Sequence, residues 1–165
     1  MKTLFTGGVK SGKSRLAEAY ILDLADTKKP YYFATTEFFD DEIEARVHIH
    51  QKQREGFFIT IEEPVKLFET LEGCQHPVLI ECVTIWLNNL LHYQTPETHI
   101  LQELEATLQL PCTMVFVHNE VGLGVIPDNR LARQFIDLSG KAGQLMGHYC
   151  EEVFFCSSGL KLKMK

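Results

Sequence analysis

The chain has 165 residues, 45% of them hydrophobic and 23% charged, the make-up of a soluble globular protein with room for one core. Its net charge of −6 argues against a nucleic-acid partner, which usually calls for a basic face. No apolar run is long enough to span a bilayer, and Gly7 and Gly8 interrupt any secretory-leader layout, so a cytoplasmic protein is expected.

In chain order, short apolar runs alternate with amphipathic stretches. KTLFT (2–6) is a first strand. From Lys13 to Ala25, apolar residues recur at Leu16, Ala17, Tyr20, Ile21 and Leu24, a helical period. YYFAT (31–35) is a second strand after Pro30. Phe39 to Gln53 reads as a helix, with Asp40 and Asp41 suited to its first turn. FFITIE (57–62) is extended, and Pro64 begins another helix. VLIEC (78–82) is a continuous apolar run ending in an acid, the pattern of a strand covered on both faces. Ile85 to Tyr93 and Glu97 to Gln109 are helical, with Trp86 and Leu87 read as core in preference to interface. TMVFVHN (113–119) is the next buried strand and Leu131 to Tyr149 a long helix; EVFFCS (152–157) and LKLKM (160–164) close the chain as strands around Gly159. The alternation predicts one α/β domain over residues 1–165, with a mainly parallel sheet whose carboxyl-terminal edge carries the activity.

Between the first strand and the first helix, Gly7, Gly8, Val9, Lys10, Ser11, Gly12, Lys13 and Ser14 satisfy G-x-x-x-x-G-K-[ST]. Glycines let backbone N–H groups curl around phosphate oxygens, and the helix N-terminus adds positive potential. Lys13 is placed to reach the β- and γ-phosphates, and Ser14 to offer a hydroxyl to Mg²⁺. The fold class is therefore α/β and P-loop NTPase-like (RecA-like), with three layers, a mainly parallel central sheet and a C-terminal hairpin. Such a loop needs an acid on a neighbouring strand to hold Mg²⁺, directly or through water. Glu81, at the end of VLIEC, fits, so Ser14 and Glu81 are the expected metal ligands; a strand-end acid alone is as often a solvent boundary.

The segment 40–54 carries His48 and His50. Two apart on a helix, they face different directions and make a poor metal pair. Arg46 and Arg54 lie four residues either side of His50. Such a stripe suits a phosphate-bearing ligand and a neutral imidazole, which is a competent nucleophile toward a nucleoside triphosphate. A solvated, charged helix face explains the same pattern. The five cysteines form no CxxC pair and read as buried free thiols in a reducing compartment, not as a zinc site.

GGVKSGKS, ATTEFFDDEIEARVHIHQKQR, TIEEP, LIECVTIWLNNLL, VHNEVGLGVIPDNRLARQFIDLSG and GLKLKMK occur in that order. The series resembles the bifunctional adenosylcobinamide kinase / adenosylcobinamide-phosphate guanylyltransferase family of cobalamin biosynthesis, over nearly the whole chain. The resemblance implies two reactions. One phosphorylates the aminopropanol hydroxyl of adenosylcobinamide with ATP or GTP. The other transfers GMP from GTP to adenosylcobinamide phosphate through a guanylylated histidine, giving adenosylcobinamide-GDP. In the R-[IV]-x-x-H segment the nucleophile is the last residue, here His50. Further nucleotide contacts implied by the resemblance are Ala34, Thr35, Thr36, Gln51, Lys52, Gln53, Arg54, Glu62 and Glu81. Glu120 and Gly122 belong to its NEVG loop, and Arg133 and Asp137 to the helix that follows. A homotrimer is implied as well.

The chain departs from the family pattern in three places. Ile136 stands where F-R-D is common, Gly143 where N-Q is common, and Ile59 where an Arg often precedes T-x-E. Each change removes a polar group that would meet the corrinoid or a neighbouring subunit. Two other readings stand beside this one: a guanylyltransferase without kinase activity, which the departures at Ile136 and Gly143 allow, and a non-catalytic nucleotide-binding regulatory subunit. Intact Lys13, Ser14, Glu81 and His50 speak against the second.

Overall fold

Seven strands and five helices follow one another in the computed structural model, which describes residues 1–26, 28–37 and 56–165. They are β1 (Lys2–Gly7), α1 (Lys13–Ala25), β2 (Tyr31–Ala34), β3 (Ile59–Glu62), α2 (Leu67–Leu71), β4 (Val78–Glu81) and α3 (Val83–His92). After them come α4 (Glu97–Gln109), β5 (Met114–Asn119), α5 (Arg130–Tyr149), β6 (Glu152–Ser157) and β7 (Leu160–Lys163). The helix expected over 39–53 lies outside the described residues.

The strands form one sheet in the order β3-β2-β4-β5-β1-β6-β7. All neighbours are parallel except β6 and β7, which form the closing antiparallel hairpin. The central strands are apolar on both faces because helices cover both. Val78 and Ile80 of β4, and Met114 and Phe116 of β5, point into a core shared with α2–α5, around the fully buried Trp86 and Leu87. The alternate residues Leu79, Val115 and Val117 face α1, where Ala17 and Ile21 meet Phe5 and Phe154. The result is three layers, with the larger core on the α2–α5 side.

Two boundaries differ from the expected ones. The helix placed at Pro64 begins three residues later, because Glu63 turns the chain first: its Oε1 accepts from the N–H groups of Val65 and Lys66, at 2.9 and 3.0 Å. Glu103 of α4 then caps the short α2, accepting from Leu67 and Phe68. Helix α3 starts at Val83, directly after β4, and not at Ile85. Its indole and amide side chains organise the chain around β2. Trp86 Nε1 donates to Val65 O at 2.7 Å, and Asn89 Nδ2 to Thr35 O at 2.8 Å and Pro64 O at 3.0 Å. No helix among the described residues is long and apolar enough to cross a membrane.

Candidate active site

The phosphate loop joins β1 to α1 and is packed tightly at its two outer glycines. A Cβ on Gly7 would lie 2.2 Å from the carbonyl oxygen of Cys156 on β6. Gly12 has φ 89° and a Cβ there would stand 3.0 Å from Gly159 Cα, so glycine is needed on both counts. Gly159 N–H also donates to Ser11 O at 2.9 Å. The β6–β7 turn thus braces the loop from outside, a role that the hairpin's sequence does not announce.

Inside the loop, Lys13 is buried and its ammonium donates to Gly8 O at 3.0 Å. Ser11 Oγ is buried with no hydrogen-bond partner among the described residues, a donor available to a phosphate oxygen. Ser14, in the first turn of α1, donates through Oγ to Glu81 Oε1 at 2.9 Å. The expected neighbouring-strand geometry is corrected here: β5 lies between β1 and β4. Helix α1 packs across β1, β5 and β4, and its first turn, which holds Ser14, lies at the end of β4.

The remaining expected nucleotide residues divide by position. Ala34, Glu62 and Glu81 stand side by side in the sheet register, at the carboxyl ends of β2, β3 and β4. Thr35 is fully buried; its hydroxyl donates to Cys82 O at 2.9 Å and accepts from Cys82 N at 3.0 Å. Its side chain therefore ties the end of β2 to the end of β4. Thr36 follows it on the same loop. His50, Gln51, Lys52, Gln53 and Arg54 lie outside the described residues. Cys82, Cys150 and Cys156 are buried thiols and Cys74 and Cys112 half-buried ones, all free. Burial, with the adjacent Glu81 carboxylate, pushes the Cys82 thiol up to about 12, which keeps it unreactive.

Between β4 and β1, the NEVG loop starts at the end of β5. Glu120 N–H donates to Gly7 O at 3.0 Å, and Glu120 Oε1 accepts from Gly122 N at 2.7 Å. Arg133 holds the loop's far end through Pro127 O and Asp128 O. Behind it sits a buried polar group that the sequence did not suggest. His118 Nδ1 is 3.1 Å from Thr84 Oγ1, and its Nε2 is 3.1 Å from Ser139 Oγ. Thr84 Oγ1 also accepts from Asn119 N at 2.7 Å, leaving its own proton for His118. Burial lowers the His118 imidazole to about 4; a hydrogen bond at Ser139 opposes this and the charge of Lys13 adds to it.

The sequence model of the family described as cobinamide kinase / cobinamide phosphate guanyltransferase (CobU) matches residues 3–164. The chain belongs to this family. Among relatives, the bifunctional adenosylcobalamin biosynthesis protein CobU of Escherichia coli is 36% identical over 184 aligned positions, covering 100% of both chains. The protein of the same name from Salmonella typhimurium is 35% identical with the same coverage. CobP of Pseudomonas aeruginosa, also named as bifunctional, is 36% identical over 100% of this chain and 98% of its own. Among solved structures, a KaiC-like protein of Pyrococcus horikoshii has a TM-score of 0.53 at 13% identity, covering 93% of this chain and 69% of that one. The flagellar accessory protein FlaH of Methanocaldococcus jannaschii has a TM-score of 0.52 at 10% identity, covering 93% and 70%. These two bear out the RecA-like fold. In this CobU-family chain, Ser14, next to Lys13 at the start of α1, meets Glu81 at the end of β4.

Proposed function

We propose that this chain phosphorylates adenosylcobinamide with ATP or GTP, then transfers GMP from GTP to the product to give adenosylcobinamide-GDP. The observation that carries the reading is the Ser14–Glu81 contact beside buried Lys13 in a chain of the CobU family. In the first step the acceptor hydroxyl oxygen bonds to the γ-phosphorus and the nucleoside diphosphate leaves. Lys13 and the loop N–H groups of 8–14 orient the triphosphate and offset the charge that builds on its oxygens. In the second step a ring nitrogen of His50 bonds to the α-phosphorus of GTP and pyrophosphate leaves. An oxygen of the acceptor's phosphate then bonds to that phosphorus, and the N–P bond breaks, restoring His50. The same loop grips the triphosphate in one step and the departing pyrophosphate in the other.

The site fits Mg²⁺. Ser14 and Glu81 are hard oxygen donors brought to 2.9 Å of one another at the mouth of the loop. They are the residues that would hold the ion, which when bound would neutralise phosphate charge. Ala34, Thr35, Thr36 and Glu62 complete the nucleotide site in this reading, with Gln51, Lys52, Gln53 and Arg54 from the segment after His50. We read residues 1–165 as one catalytic domain working as a homotrimer in the cytoplasm; the five free thiols support the last point.

The test is incubation with GTP labelled at the α-phosphate. An acid-labile, base-stable covalent label is expected, absent in His50→Ala. No label on a protein that demonstrably binds GTP overturns the reading. Adding adenosylcobinamide and ATP then tests the kinase step by itself.

A further inference from the structure

A cavity of about 400 Å³ lies on the sheet face opposite α1, between α5 and strands β1 and β6. One end lies at the working edge of the sheet, lined by Thr6, Glu120 and Gly122. Thr6 directly precedes the phosphate loop, and Glu120 is bonded to Gly7 O. The other end is apolar, walled by Leu4, Val153 and Met164.

The helix side of the cavity is kept open. Gly140, Gly143 and Gly147 of α5 all face it. None has a positive φ. A Cβ would meet nothing within 4 Å at Gly140 or Gly147, and only His118 Nε2, at 3.9 Å, at Gly143. Neither backbone conformation nor close packing asks for glycine there, and each glycine weakens the helix relative to alanine. The space itself is what they supply.

The lining says what fits. No lysine or arginine is among the described residues around the cavity, and both nitrogens of His118 are engaged by Thr84 and Ser139. A phosphate chain finds no countercharge here. The Gln144 amide and the Glu120 carboxylate provide hydrogen-bonding groups beside an apolar wall, which suits a neutral arm carrying amides and short alkyl links. The volume is at the low end for small-molecule sites, which run from about 300 to 1,000 Å³; it takes an arm of a large ligand and not a macrocycle. Ile136 and Gly143, two of the three departures from the family pattern, both line it.

Building on the function proposed above, we propose that this cavity is an acceptor subsite. It seats an amide-bearing side arm of the corrinoid while the reacting hydroxyl lies at the phosphate-loop edge, and Ile136 and Gly143 set which arm it accepts. The test uses two substitutions that fill the space from opposite walls: Gly143→Leu, favourable to the helix, and Met164→Trp, at a mostly exposed position near the C-terminus. Binding of cobinamide is read by equilibrium dialysis and its visible absorbance, and covalent labelling from GTP is read separately. In each variant the Kd for cobinamide is expected to rise more than tenfold, with any loss in labelling at least tenfold smaller. Cobinamide binding within twofold of wild type in both variants overturns the subsite. So does a loss of labelling that matches the loss of binding. A wild-type chain that binds cobinamide but takes no label from GTP refutes the proposed function alone, and the variants' Kd values then still decide the cavity.

Discussion

His118 sits where a charge is expensive, and its replacement gives a pH signature that can be worked out from the structure. The imidazole is 3% exposed, held between Thr84 and Ser139, with its pKa lowered to about 4. In the unfolded chain the value is about 6.5. Below that value the unfolded state binds the proton more readily, so stability falls with falling pH and the loss is complete only below the folded value. Linkage across this interval makes the His118 contribution about 2 kcal/mol smaller at pH 5 than at pH 7, and about 3 kcal/mol smaller at pH 4. His118→Gln keeps a donor and an acceptor but cannot be charged. At pH 7 it is expected to be less stable than wild type by about 1–2 kcal/mol, through poorer hydrogen bonds to the two hydroxyls. The gap closes on acidification and reverses near pH 5. Urea unfolding at pH 7, 6, 5 and 4, with constant m-values, measures the difference, and the other titrating groups cancel between the two proteins. A stability difference that stays flat from pH 7 to pH 4 would show that His118 is not held neutral by burial.

Two further outcomes are expected. Glu81→Gln keeps a partner for Ser14 Oγ but removes the charge; phosphoryl transfer should fall at least ~100-fold in a coupled kinase assay, and a rate within threefold of wild type would remove Glu81 from the metal site. Trp86→Ala empties the centre of the larger core and leaves Val65 O without its indole donor. A loss of about 3–5 kcal/mol is expected in denaturant titration, and a loss below ~1 kcal/mol contradicts the packing described.

Much of the frame is readable from local chemistry. The apolar runs of β4 and β5 identify themselves as buried strands because both faces of a covered parallel strand must be apolar. The phosphate loop is equally legible, since its glycines, lysine and serine are needed at consecutive positions. Pro64 misled by three residues because the carboxylate of Glu63, and not proline's fixed φ, shapes that turn. Glu81 was identifiable as a strand-end acid paired with Ser14, but the strand β5 that stands between it and β1 was not.

The sequence by itself determined the α/β alternation, the phosphate loop, and through its ordered motifs the family. Those are properties of short segments, in which periodicity and side-chain chemistry act within a few residues. Only the tertiary structure decided which distant groups meet. The first turn of α1 sets Ser14 in direct contact with Glu81, 67 positions away and two strands from β1. The β6–β7 turn places Gly159 against Gly12, and α3 and α5 converge on His118 from opposite sides. The same holds for the glycines of α5, which read as weak points in a helix until the sheet beside them shows that they border a cavity. Contacts of this kind depend on strand order and helix crossing, and no local pattern encodes either.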